Sequence, residues 1–456
     1  MKKRAVLGAI LLAALVGAAS AQTATYQQPP QPIAAILDAA PTPGVSISGD
    51  RRTLALLGRE NLPPISDLAE PFLRLAGYRI NPDINGPSEG RAGWLNALSF
   101  EDVATGEVRQ VSLPEGARYL YPLWSPDSTR MALALRTPNG LELWVAERSG
   151  EARRLSGSRL NAAFGAPYRW MPDSSALIVS FVPEGRGAAP AAPNAPAGPV
   201  VQESEGRAAP ARTYQDLLQA PHDEALFEHY FTAQLARVDA ATGAASPMGG
   251  PGLYLGADPS PDGRYLLVTR VKQPFSYVVP ASRFPTEIAV WDASGRQVHR
   301  VVDRPLADDI LPAFDSVVRG PRSVEWRADA PATLVWAETQ DRGDPAVDVA
   351  VRDRLYMLDA PFRGRPRVLA ELADRYAGVT WGRSDFAILT SRWFNTRNEK
   401  RFAINPSRPG GARLLLERNY QDRYNNPGAP VLRSNGRGQA LIHFTPDGQG
   451  YFATGP

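Results

Sequence analysis

The sequence predicts an all-β fold: a seven-bladed β-propeller whose last blade is incomplete, with a short helical insertion in the third repeat. Three observations carry this. A short phrase recurs along the chain, a second phrase follows most copies of it, and the two counts differ by one. The first phrase reads apolar residue or Trp, small residue, Pro, Asp. Its clearest copies are Trp124-Ser125-Pro126-Asp127, Trp170-Met171-Pro172-Asp173, Pro259-Ser260-Pro261-Asp262 and Phe444-Thr445-Pro446-Asp447. Looser copies are Ser48-Gly49-Asp50, Trp326-Arg327-Ala328-Asp329 and Trp381-Gly382-Arg383-Ser384-Asp385. Each opens an apolar run such as Tyr265-Leu266-Leu267-Val268. Self-similarity of this kind marks a repeat architecture.

The second phrase is a strand that ends in an acidic turn with Gly. Examples are Asp102 to Gly106, Glu147 to Gly150, Asp239 to Gly243 and Asp292 to Gly295, with looser cases at Asp359 to Gly364 and Asn405 to Gly411. Asp or Asn turns the backbone with its own side chain, and Gly supplies positive φ. Two hairpin signals per unit give about four strands, and four-stranded units recurring every 45 to 70 residues or so describe propeller blades. Seven openings face six closings, and the chain stops soon after Asp447. The expectation is a last unit with one strand and exposed sheet edges beside the first unit. On this reading the chain is the front part of a longer protein.

Composition narrows the function. The formal charge is +3, and Lys2, Lys3 and Arg4 supply three positive charges, so 3 − 3 leaves about zero without them. No concentrated basic field is left for a nucleic acid or an anionic membrane. The chain has no cysteine, which excludes disulfides, thiolate catalysis and Cys-ligated zinc. Residues 1–21 read as a signal peptide: a basic start, an apolar stretch Ala5 to Val16, and Ala19-Ser20-Ala21 before Gln22. A periplasmic or secreted protein is expected, with no membrane attachment after cleavage. Residues 22–44 read as a Pro/Gln-rich arm with a short helix at Ile33 to Leu37, and 45–456 as the propeller.

Residues 183–199 are Ala/Pro/Gly-rich, charged only at Glu184 and Arg186, and read as a flexible tether. Residues 200–230 read as a helical insert. Thr213 to Asp216 forms a variant capping box ahead of Leu217 and Leu218, and Asp223 caps a second helix, Glu224 to Glu228. Loops of this kind carry function without disturbing the scaffold.

The search for catalytic groups yields none. No G-x-S-x-G elbow is present, and the nearest string, Gly382 to Phe386, overlaps a repeat opening. His222 and His229, with Asp223, Glu224 and Glu228, match no zinc-helix spacing and read as a solvated helix face. Trp124, Trp170, Trp326 and Trp381 read as packing between blades, and the phrase Asp residues as turn formers. No cofactor or metal is expected. Arg207 and Arg212 flank the insert and are the candidate substrate-binding residues, because a guanidinium can pair a carboxylate bidentately.

Three stretches resemble the N-terminal propeller of glutamyl endopeptidases, a branch of the prolyl oligopeptidase-type serine peptidases. They are Ile36 to Pro43; Leu62 to Ile65 with Leu73 to Pro82 and Asn85 to Ser88; and Gln202 to Ser204 with Ala209 to Leu218 and His222 to Phe231. The resemblance implies a seven-bladed propeller capping a C-terminal α/β-hydrolase domain that holds the Ser, Asp and His of the triad. The sequence ends before such a domain, so no catalytic residue is carried over, and the chain alone is expected to be inactive. The partners implied are a peptide or unfolded-protein substrate and the missing hydrolase domain. Preference for cleaving after Glu implies a positive partner for the substrate carboxylate. The alternative is a stand-alone exported propeller that acts as a protein- or peptide-binding scaffold.

Overall fold

A computed structural model describes residues 29–88, 93–157, 159–194, 214–310 and 313–455. The fold is all-β, with sheets that are antiparallel throughout. The first sheet runs Gly44–Ile47, Thr53–Gly58, Ala97–Asp102, Val108–Gln110 in spatial order. The second runs Tyr119–Trp124, Arg130–Thr137, Gly140–Glu147, Ala152–Ser156. Next comes a seven-stranded sheet: Tyr168–Trp170, Ala176–Phe181, Ala233–Asp239, Ala245–Pro259, Tyr265–Val271, Thr286–Asp292, Gln297–Arg304. Its 15-residue strand Ala245–Pro259 closes one meander with its first half and opens the next with its second. Two more four-stranded meanders follow, from Arg322 to Leu372 and from Arg375 to Asn419.

The recurring phrases sit at the turn between the first and second strand of each meander. Their aspartates close those turns. The Asp127 carboxylate accepts from Ser125 Oγ at 2.5 Å and from Thr129 N at 3.1 Å. The acidic Gly hairpins join the third and fourth strands; Asp239 accepts from Ala241 N and Thr242 N at 3.0 and 2.8 Å. Gly243 there has φ +76°, and a Cβ on it would lie 2.1 Å from the Leu155 carbonyl oxygen, so only Gly fits.

The phrases also tie each sheet to the next. Asp50 N donates to Ser128 Oγ, and Asp127 N to Ser174 Oγ, both at 3.0 Å. The phrase tryptophans bond backward: Trp124 Nε1 to the Ser46 carbonyl, Trp170 Nε1 to Leu123, Trp326 Nε1 to Asp258, at 3.3, 3.1 and 2.9 Å. They are ties between neighbouring sheets, as the sequence led us to expect. Further round, Arg327 stacks on Trp381 and Arg383 on Phe444.

The end of the chain departs from expectation. Leu432–Ser434 pairs with Ala440–Ile442, and single bridges join Phe444 to Tyr451 and Pro430 to Ala453. This small sheet abuts the first one. Arg51 Nη2 donates to the Leu432 carbonyl at 2.5 Å, and a Cβ on Gly49 would lie 3.1 Å from Ser434. The sheets therefore follow one another in a closed cycle. Among the described residues the last sheet holds two strands where the other units hold four, as expected of an incomplete unit, but residues 430–434, ahead of the last phrase, supply strand that the phrase pattern did not reveal.

Turns in an antiparallel meander alternate between the two ends of its strands. Phrases and acidic hairpins therefore share one end. The loops between second and third strands share the other, and that end carries all the long insertions: 59–96, 182–232, 272–285 and 340–352.

Candidate functional site

Three of these insertions fuse. The first contains a small sheet, Leu73–Leu75, Tyr78–Asn81 and Gly86–Pro87. The second contains an 11-residue helix, Pro221–Phe231, and the third the segment around Phe275 to Phe284. Tyr78, Phe164, Phe227, Phe231, Phe275 and Phe284 meet edge-on or stacked, with ring centroids 4.5–6.1 Å apart. This is a second hydrophobic core, separate from those inside the sheets. Each aromatic pair adds roughly 0.5–1.5 kcal/mol beyond the area it buries.

The local readings of the second insertion need correction. Residues 214–220 form no helix. Asp216 does not cap; its carboxylate is 4% exposed and accepts from Arg79 Nε at 2.7 Å, with Arg74 at 3.6 Å. Two guanidiniums from the first insertion outcompete a local cap. The helix starts at Pro221, before the expected Glu224, and ends at Phe231. Asp223 sits in its first turn, accepting from Gln219 N at 2.7 Å. Arg207 and Arg212 lie outside the described residues.

Beside this core opens a cleft of about 860 Å³, lined by Asp83, Ile84, Gly116, Arg118, Arg136, Thr137, Pro138, Asn139 and Arg159. Its arginines differ. Arg118 pairs with Asp67 and Arg136 with Glu70, each at 2.5 Å, and the two guanidiniums flank the Trp94 ring. Arg159 is exposed and makes no ion pair or hydrogen bond with any described residue.

Arg186 stands close enough to feel that charge. Its Nη1 donates to Asn85 Oδ1 and to the His229 carbonyl, and its guanidinium lies 5.4 Å from the Tyr230 ring centroid. No described carboxylate pairs with it, and its Nε–H is buried without an acceptor. An orphaned buried donor costs about 1–3 kcal/mol. Burial first, and the Arg159 charge second, hold its pKa below the ordinary arginine value. Burial, then the charge of Arg186, lowers the pKa of His229. The sequence reading placed Arg186 in a flexible tether; the structure fixes it to Asn85 of another insertion. The available signal was a lone arginine in an otherwise small-residue run.

Among the described residues no three His, Asp or Glu side chains converge as metal ligands. No helix among them is long and apolar enough to cross a membrane.

No family model matches the chain. Two curated plant proteins do. "Probable glutamyl endopeptidase, chloroplastic" of Oryza sativa subsp. japonica is 38% identical over 436 residues, covering 91% of this chain and 46% of its own length. The protein of the same name from Arabidopsis thaliana is 38% identical over 435 residues, covering 91% and 45%. The chain thus spans about half the length of the curated relatives it matches. Among solved structures, Pyrococcus horikoshii acylaminoacyl peptidase aligns with a TM-score of 0.40 at 11% identity, covering 83% of this chain and 46% of its own. Identity of 38% sustained across nine-tenths of the sequence makes this chain a member, over the portion it spans, of the glutamyl endopeptidase family.

Proposed function

We propose that the chain is the seven-bladed propeller portion of an exported serine endopeptidase that cleaves after Glu, and that it gates access and helps select substrate. The observation that carries this is the 38% identity to two proteins named as glutamyl endopeptidases, of which the chain spans about half. A count of seven takes the shared strand Ala245–Pro259 twice and the two-stranded sheet at the end of the chain as a unit of its own. In this reading residues 1–21 direct export to the periplasm or beyond, 22–44 form an arm, and 45–456 form the propeller. The nucleophile and its base belong to an α/β-hydrolase domain outside these 456 residues.

The insertion end supports a substrate-facing role. Three separate insertions are welded there by one aromatic core, which gives loops the rigidity a binding surface needs. A cleft of about 860 Å³ opens beside them, a size that admits a short peptide segment.

The closed cycle of sheets favours a second reading, a stand-alone exported scaffold that binds protein or peptide. One experiment addresses both. The purified 456-residue chain is mixed with internally quenched peptides that contain Glu. Binding without hydrolysis is expected. Hydrolysis by this chain alone overturns the gating reading, and absence of binding overturns both. A G-x-S-x-G coding sequence downstream of Pro456 in the gene then separates the enzyme portion from the scaffold.

A further inference from the structure

We propose that the end of the molecule opposite the insertions carries a basic face that docks the protein on an anionic lipid bilayer, with the cleft turned away from the membrane. This stands independently of the peptide-binding reading above.

The argument is one of distribution. The whole chain is close to neutral, and net charge alone predicts no basic field. The phrase end, however, is charged unevenly. In the first three sheets its turns are 48–52, 102–109, 125–130, 147–153, 171–175, 237–243, 260–264 and 292–296, with nine arginines and ten carboxylates. In the later sheets they are 327–329, 359–367, 383–385 and 405–413, joined by 433–438 and 445–448; here nine arginines meet only four carboxylates. Residues 433–438 reach this end because Arg433 and Gly436 line a cleft of about 310 Å³ with Asp50, Arg52 and Asp127. Residues 445–448 reach it because Arg383 stacks on Phe444.

The pairing follows the count. In the first three sheets Arg109 meets Glu107, Arg148 meets Asp50, Arg264 meets Asp262 and Arg296 meets Asp292. In the later sheets Asp329, Asp359 and Asp385 are each taken by one arginine of their own turn. That leaves Arg363, Arg365, Arg408, Arg413, Arg433 and Arg437, all exposed and without a side-chain partner among the described residues. An exposed guanidinium with no carboxylate is suited to a phosphate, which it grips with two parallel N–H bonds. These six sit on three successive hairpins that share one end of the molecule, so they are presented to a surface rather than gathered in a groove. Phe362 is the one aromatic residue of those hairpins, and at 4% exposed it offers no ring for stacking bases. A bilayer with anionic headgroups matches such a face better than a nucleic acid does, because each arginine near the surface adds to binding separately.

The test mixes the full chain with vesicles of phosphatidylcholine, alone or with about 40% phosphatidylglycerol, and reads cosedimentation at low salt. Binding to the anionic vesicles is expected to exceed binding to the neutral ones by about tenfold or more, and to fade toward about 0.5 M salt. Arg363→Gln with Arg365→Gln, and Arg408→Gln with Arg413→Gln, should each lower it about tenfold. The unfolding midpoint should not move, because these side chains are exposed and unpaired. Arg59→Gln with Arg342→Gln removes the same charge from exposed sites at the insertion end and should leave binding within about twofold. Equal binding to the two kinds of vesicle overturns the docking face. A loss as large for the insertion-end pair as for the hairpin pairs overturns it too, because binding would then follow net charge and not one face. A short DNA duplex that binds at least as tightly as the anionic vesicles at the same salt overturns lipid as the occupant.

Discussion

The insertion end of the ring is held in two different ways. Beside the cleft, three insertions share an aromatic core built around Phe227 and Phe231, both fully buried. On the other side, the loop 340–352 is held by buried charge. Arg375, 5% exposed, donates to Asp341 at 2.7 Å and to Asp353 at 3.3 Å, and both carboxylates are 0% exposed. Arg352 adds a bond to Asp341 at 3.0 Å and stacks on Trp393, and Arg322 pairs with Asp353. The aromatic core draws on area, which is nondirectional and tolerant of exchange. The ionic core draws on geometry and fails when one member is lost. A binding surface built beside the first can vary its side chains without losing its support.

Breaking the ionic side gives the largest effect. Arg375→Met leaves two buried carboxylates short of a partner, and we expect a loss of about 3–5 kcal/mol in urea unfolding at neutral pH. A loss under about 1 kcal/mol would show that the charges relax into solvent and that the two halves do not differ.

Acid should erode the same side selectively. Burial pushes the Asp341 carboxyl pKa up, but the hydrogen bonds of Arg375 and Thr339, the charge of Arg375 and the Gly343 N–H more than offset this and leave it below 3.8. A carboxyl depressed in the fold contributes its full stability above the unfolded value near 3.9, and loses it as pH falls through the lower folded value. The stability gap between wild type and Asp341→Asn should therefore be constant above about pH 5 and close below about pH 4. A gap that widens in acid would contradict the assignment. Leu218→Met, in the cluster around the aromatic core, sharpens the contrast from the other side. It keeps an apolar side chain of similar size, and we expect a cost below about 1.5 kcal/mol with no pH dependence.

What the sequence made legible follows from range. Asp127, Asp239 and their equivalents act within two or three residues, so the repeat, its turns and the sheet order could be read from local chemistry. The aromatic core could not. Tyr78, Phe164, Phe227 and Phe284 come from separate loops and share no period, so no window reveals that they touch. Asp216 was misread for the same reason: capping logic sees the next three residues, not Arg79 in another insertion. Arg186 was hidden because composition describes a segment, whereas its anchor, Asn85, lies a hundred residues away. The closing strands at 430–434 carry no phrase of their own.

The smallest effects test the other end of the strands, where the phrase tryptophans tie sheet to sheet. The two best-formed ties differ in surroundings. Trp170 is 7% exposed, and its Nε1 donates to the Leu123 carbonyl at 3.1 Å while Arg130 stacks on its ring. Trp326 donates to the Asp258 carbonyl at 2.9 Å, but at a half-buried site that water reaches. Length alone would rank the second bond as the stronger. Burial reverses that order, because water replaces a lost donor only where it can enter. Trp170→Phe should cost about 1 kcal/mol and Trp326→Phe less than about 0.5 kcal/mol in the same urea assay. If Trp326→Phe proves the more damaging, the ties act through bond geometry rather than desolvation, and the difference drawn between buried charge and buried rings would need the same revision.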